Sequence, residues 1–200
     1  MDLSDVNWEE QWQAFAPGFK DGILQVEVGE QSLSLVAGGG FGDLSHPTTR
    51  LMLQLLPYQV KNRVVIDIGC GSGILSVAAA KLGAKKVYGL DICEEARRHT
   101  RANAKCNGVQ IETFEKLEKL PKGELLILMN MISSEQEVAW QMNSCLHNQP
   151  AIWITSGILE EQHREYLGLL QSWNLHFTKR EVLEGWSCYV LCNRKFCYSF

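Results

Sequence analysis

The run Val64-Val65-Ile66-Asp67-Ile68-Gly69-Cys70-Gly71-Ser72-Gly73 constrains the fold of this chain more than any other segment. Its β-branched half is short and apolar, which suits a strand buried on both faces of a parallel sheet. Glycines at alternate positions then allow a tight turn that opens a helix, because glycine accepts positive φ without strain. The alternation continues from Lys61 onward. Strands are predicted at Arg63–Ile68, Lys86–Asp91, Val109–Phe114, Glu124–Asn130 and Ala151–Thr155. Helices are predicted between them at Ile74–Leu82, Glu94–Asn107, Ser133–Leu146 and Glu160–Trp173, with Gly83 and Gly108 as C-terminal caps and Ser133 or Ser134 as an N-cap. Leu175–Glu181 and Trp186–Asn193 close the chain as two strands with no helix between them.

Strand–helix alternation of this kind implies an α/β fold: a doubly wound, seven-stranded, mostly parallel sheet with an antiparallel hairpin at its C-terminal edge. Ligands of such sheets bind beyond the carboxyl ends of the strands, where the winding reverses. Function is therefore expected at the ends of the first, second and fourth strands.

Residues 1–60 read differently. Trp8 and Trp12 lie four apart on a short helix, a spacing that suits packing better than ligand binding. Ile23–Val28 and Ser32–Val36 alternate like a hairpin across Gly29–Glu30. A glycine-rich stretch, Gly38-Gly39-Gly40-Phe41-Gly42, leads into Ser45-His46-Pro47-Thr48-Thr49, and Pro47 suits the first position of a helix running to Leu56. We expect residues 1–60 and 61–200 to form one structural domain.

Composition excludes several classes. With 200 residues, 46% hydrophobic and 21% charged, the chain has the balance of a globular protein. Such a chain buries roughly 70% of its unfolded surface and needs no covalent staple. Nineteen basic against 23 acidic residues leave a net charge of −4, so no phosphate-backbone footprint is present and no direct nucleic-acid contact is expected. The apolar runs are too short for a membrane span, and the acidic N-terminus shows no targeting pattern. The 7 cysteines lack metal-ligand spacing, so we expect mostly buried thiols in a reducing, cytoplasmic compartment and no metal.

The glycine turn does not follow the dinucleotide pattern, since Ile74 stands where that fingerprint wants glycine. Asp67, beside the turn, would repel a pyrophosphate but suit a ligand carrying a cationic amine. S-adenosylmethionine is such a ligand. Asp91 ends the second strand, 22 residues after Gly69, where a carboxylate can accept both hydrogens of a ribose diol.

Asp67-Ile68-Gly69-Cys70-Gly71-Ser72-Gly73-Ile74-Leu75, Ala79-Ala80-Lys81-Leu82-Gly83-Ala84 and Gly89-Leu90-Asp91-Ile92 resemble the class I S-adenosylmethionine methyltransferases, with their Rossmann-like sheet. More narrowly, the chain is similar to the ribosomal protein L-eleven methyltransferases (the PrmA family). Phe41-Gly42 with His46-Pro47-Thr48-Thr49, Asn130, Thr155-Ser156-Gly157-Ile158-Leu159 and Glu184-Gly185-Trp186 carry that narrower resemblance, from about Trp8 to Arg194. It implies cofactor contacts at Thr49, Gly69, Asp91 and Asn130; Phe41, Asp67, Cys70, Gly71 and Ile92 in the same segments are further candidate cofactor contacts, and Asn130 and His46 are candidate catalytic residues. It further implies N-methylation of a protein lysine or amino group, on a ribosomal protein or another lysine-bearing protein. In such a site Asn130 would orient a neutral amine without favouring its ammonium form. That matters because deprotonating a lysine at neutral pH costs about 4.6 kcal/mol.

Two departures stand out. Asp43, Leu44 and Ser45 replace the family's threonine, glycine and threonine, placing a carboxylate near the expected transfer site and removing a left-handed option at Leu44. Asp43 is accordingly a third candidate catalytic residue. We also expect no counterpart of the family's N-terminal docking domain before Trp8. These departures motivate two alternatives, a catalytically silent cofactor-binding module and a methyltransferase of small molecules.

Overall fold

The computed structural model describes residues 7–16, 18–39, 41–42 and 44–193. Asp43 and Cys197 lie outside the described residues. In chain order the elements are α1 (Trp8–Phe15), β1 (Phe19–Lys20), β2 (Ile23–Val28), β3 (Gln31–Val36), α2 (Pro47–Leu55), β4 (Val64–Ile68), α3 (Ile74–Lys81), β5 (Lys86–Leu90) and α4 (Glu94–Cys106). They continue with β6 (Glu112–Phe114), β7 (Leu125–Asn130), α5 (Ser133–Met142), β8 (Ala151–Leu159), α6 (His163–Ser172), β9 (Leu175–Leu183) and β10 (Trp186–Asn193).

Seven strands form one sheet in the order β6-β5-β4-β7-β8-β10-β9, with β10 antiparallel to both of its neighbours. β4 and β7 are parallel neighbours, yet the chain visits β5 and β6 between them, so the winding reverses there. The remaining strands, β1 to β3, form a separate antiparallel sheet.

Alternate residues of the central strands serve opposite faces, as the pleat requires. Val65, Leu126 and Ile154 pack with Val77 of α3 and with Leu24 and Leu35 of the small sheet. Ile66, Ile127 and Trp153 face the other way, toward Trp140 of α5 and Tyr166 of α6. Trp140 stacks on Trp173 at 4.7 Å and on His147 at 4.0 Å. Trp12 is buried edge-on against Phe19 and His99, each at 5.7 Å, so the tryptophan-bearing helix packs as its spacing suggests.

Some expectations change. The N-cap of α5 is Ile132, not a serine. The Gln136 amide donates to the carbonyls of Met131 (2.9 Å) and Ser156 (3.0 Å), which draws the first helical turn hard against the strand end. β8 runs on to Leu159 because its register with β10 continues across a bulge at Ser187/Cys188. The strand pair β9–β10 closes through Glu184-Gly185, both at positive φ, the two-residue turn whose twist matches a hairpin. Cys70 and Cys188 are buried thiols, whereas Cys93, Cys106 and Cys145 are exposed, so the thiols are less buried than their number suggests. Among the described residues, no helix is long and apolar enough to cross a membrane.

Candidate active site

A cavity of about 790 Å³ opens at the carboxyl ends of β4, β5 and β7, where the winding reverses. Gly69, Gly71, Asp91, Ile92 and Asn130 all line it, together with Phe41 and His46 from the segment before α2. Such a volume falls in the range of small-molecule sites, roughly 300–1,000 Å³.

Asp91 holds the site together. Its Oδ2 accepts the Gly71 N–H at 3.1 Å, and its Oδ1 accepts the Cys93 N–H at 2.9 Å. The carboxylate therefore ties the glycine turn to the start of α4, and each oxygen keeps a lone pair for a ligand hydroxyl. Gly71 is required less by a ligand than by the protein itself. It sits at φ +54, and a Cβ there would lie 2.6 Å from the Phe41 carbonyl oxygen.

Asn130 ends β7 beside the cavity. Its Nδ2 donates to the Thr49 hydroxyl at 3.3 Å, while its Oδ1 is buried without a hydrogen-bond partner among the described residues. An acceptor left open in this way costs about 1–3 kcal/mol unless a donor reaches it, and Asn143 Oδ1, also in the lining, stands the same way. His46 is the N-cap of α2, with Nδ1 accepting the Thr48 N–H at 3.4 Å. The same Nδ1 lies 2.8 Å from the Thr48 hydroxyl. The ring also bridges an aromatic wall, edge-on to Phe41 at 5.8 Å and to Trp186 at 4.7 Å.

Three expected cofactor residues stand behind the lining. Thr49 is fully buried and reaches the cavity only through Asn130; Thr48 lines it instead. Cys70 is buried, its sulfur accepting from the Thr100 hydroxyl at 3.2 Å. Asp67 accepts from the Ser76 hydroxyl at 2.6 Å. Burial, with a smaller push from the Asp91 charge, raises its pKa to about 7 against the pull of Ser76. Asp67 is therefore only partly charged at neutral pH, which weakens its attraction for a cation. Sequence reasoning passed over Met131, Ile132, Glu115 and Val138, which also line the cavity. Asn130-Met131-Ile132 was a strand end in the sequence, but nothing there marked α5 as a wall.

The comparisons with known proteins decide the family. The family described as ribosomal protein L11 methyltransferase (PrmA) matches residues 2–194. The chain belongs to the PrmA family. Within it, a ribosomal protein L11 methyltransferase of Neisseria gonorrhoeae is 39% identical over 158 residues, covering 78% of this chain and 53% of that protein. Its Legionella pneumophila (strain Paris) counterpart is 36% identical over 204 residues, covering 96% of this chain and 70% of that protein. The chain thus spans about half the length of the first of these PrmA relatives. The crystal structure of a ribosomal protein L11 methylase from Lactobacillus delbrueckii subsp. bulgaricus superposes with a TM-score of 0.69 at 28% identity, covering 80% of this chain and 83% of that one. Among the described residues, no group of three or more His, Cys, Asp or Glu side chains gathers as metal ligands.

Proposed function

We propose that this chain is an S-adenosylmethionine-dependent methyltransferase acting on a protein amine, with a ribosomal protein as its partner in the cytoplasm. The observation that carries the reading is the buried, unpartnered Asn130 Oδ1 beside a cavity of cofactor size. The relatives' names support the same reading.

The lining fits the cofactor. Asp91 has lone pairs for a ribose diol, and Ile92, Ile132 and Val138 provide apolar walls for a flat ring. When bound, the cofactor supplies an electrophilic methyl group on a sulfonium. Asn130 accepts one N–H of the incoming amine and orients its lone pair, while its bond to Thr49 fixes the rotation of the amide. An amide oxygen does this without stabilising the ammonium form, as a carboxylate would. Positioning of this kind supplies most of the acceleration in a displacement reaction. His46 acts through the cap of α2 and the aromatic wall. Residues 1–60 and the large sheet act as one domain, because their apolar side chains share one core.

The test is incubation of the folded chain with methyl-labelled S-adenosylmethionine and lysate, with and without ribosomes. Label should pass to a protein amine, and Asn130→Ala should cut the rate roughly a hundredfold, well beyond any loss in binding of the demethylated product. Binding without transfer to any acceptor would instead identify a silent cofactor-binding module. Transfer only to small metabolites would remove the protein substrate.

A further inference from the structure

Helix α4 carries His99 and Asn103, and its C-cap residue Asn107 follows at the same spacing of four, on one face. That face lies against the outer edge of β3. The Asn107 amide accepts the Ser34 N–H at 2.9 Å and donates to the Ser34 carbonyl at 2.6 Å. The Asn103 Oδ1 accepts the Val36 N–H at 2.8 Å, and His99 Nε2 donates to the Val36 carbonyl at 2.7 Å. Side chains of a helix thus stand in for a fourth strand of the small sheet.

Asn103 does one thing more. It is fully buried, and its Nδ2 donates to the Ser72 carbonyl at 2.8 Å. Its amide orientation is fixed, since the Val36 N–H can only donate and the Ser72 carbonyl can only accept. Ser72 in turn donates its N–H to the Phe41 carbonyl and its hydroxyl to the Gly42 carbonyl, both at 2.8 Å. The bonds make one circuit: Val36 to Asn103, Asn103 to Ser72, and Ser72 to Phe41 and Gly42. Phe41 and Gly71, on either side of this circuit, line the cavity; Asn103 does not.

We infer that Asn103 is a positioning residue for the cofactor. It holds the glycine turn and the Phe41–Gly42 wall in register as one surface, and it makes the small N-terminal sheet a working part of the site. This rests on the reading that the cavity takes S-adenosylmethionine. A residue that merely stabilised the fold would change melting temperature without changing affinity. A positioning residue changes affinity beyond any change in stability.

Calorimetric titration of the full chain with S-adenosylhomocysteine separates the two. Asn103→Asp keeps an acceptor for the Val36 N–H and removes the donor to Ser72, so the dissociation constant should rise about tenfold. Asn107→Ala removes two bonds to β3 and one to the Asn103 backbone carbonyl but leaves the Asn103 side chain and the turn bonded, so affinity should stay within about twofold although melting temperature falls. Ser72→Ala removes the hydroxyl bond to the Gly42 carbonyl while the backbone bonds to Phe41 and Asn103 stay, so the dissociation constant should rise about fivefold. The double variant Asn103→Asp/Ser72→Ala should be no weaker than the worse single one, since the relay is then already broken. Where Asn103→Asp does not fold, Ser72→Ala against Asn107→Ala makes the same comparison. Wild-type affinity in Asn103→Asp or in Ser72→Ala overturns the inference, and so do losses that multiply in full. Absence of binding by the wild type overturns the cofactor reading and this inference with it, whereas binding that is equal across all variants overturns only this one.

Discussion

Leu44 sits at φ +69, a region that costs a residue with a Cβ roughly 1–2 kcal/mol. The left-handed turn thus persists although the residue there is leucine. Its C-terminal flank is held by the cap His46 makes on α2, and its N-terminal flank by the Gly42–Ser72 bond. Leu44→Gly relieves this strain, whereas Leu44→Ala keeps it, and both lose the same contacts with the core. In denaturant unfolding, Leu44→Gly should therefore be more stable than Leu44→Ala by about 1 kcal/mol, inverting the usual order. The opposite order would show that the turn carries no strain. Asp67 makes the second residue-scale prediction. Its folded pKa of about 7 lies above the ordinary 3.8, so the folded state binds more protons through that window and stability falls as pH rises through it. Asp67→Asn keeps an acceptor for Ser76 and removes the charge. Its melting temperature should exceed that of the wild type by a margin that grows from about pH 4 to pH 7 and then levels, as integration of the linkage requires. A constant margin would contradict the burial account. Both residues were visible in the sequence as departures or candidates, but their states were not. A turn's φ is set by bonds on its flanks, and a carboxylate's charge is set by how deeply the sheet buries it.

At the scale of elements, the junction of β7, α5 and β8 shapes one end of the cavity. Gly157 sits at φ +98, and a Cβ there would lie 2.2 Å from the Met131 carbonyl oxygen. Backbone meets backbone at that point, so no side chain can give way. Gly157→Ala should cost roughly 3 kcal/mol or more in equilibrium unfolding, combining left-handed strain with overpacking. A loss below about 1 kcal/mol would mean that the two strands part readily. The strand–helix alternation was legible because buried parallel strands read as unbroken apolar runs: Val64–Ile68 and Leu125–Asn130 fall within a residue of their expected bounds. The extension of β8 through Gly157 was not, because a glycine inside a strand reads as its end until the partner strand is known. The first residue of α5, Ser133, was expected, but its N-cap was hidden for a related reason. Gln136 contacts the carbonyl just past the end of β7 and one within β8, and sequence spacing carries no trace of that tertiary bond.

For the whole molecule, the sheet order places the glycine turn, Asp91 and Asn130 around one cavity, as the winding rule implies. Asp91, Glu115 and Glu135 line it and no Lys or Arg does, so among the described residues the lining is acidic and favours a cationic ligand. The role of the N-terminal sheet was the least legible part. Its connection runs through Asn103 to Ser72, 31 residues away in the chain, and no local pattern records that pairing. The central claim is that this cavity binds S-adenosylmethionine, and calorimetry with its demethylated product tests it most directly. We predict saturable one-to-one binding by the folded chain, weakened by roughly 1–3 kcal/mol in Asp91→Ala, the scale of a lost charged hydrogen bond. Folded protein that gives no heat at high micromolar ligand, or an Asp91→Ala variant that binds as the wild type does, would contradict it.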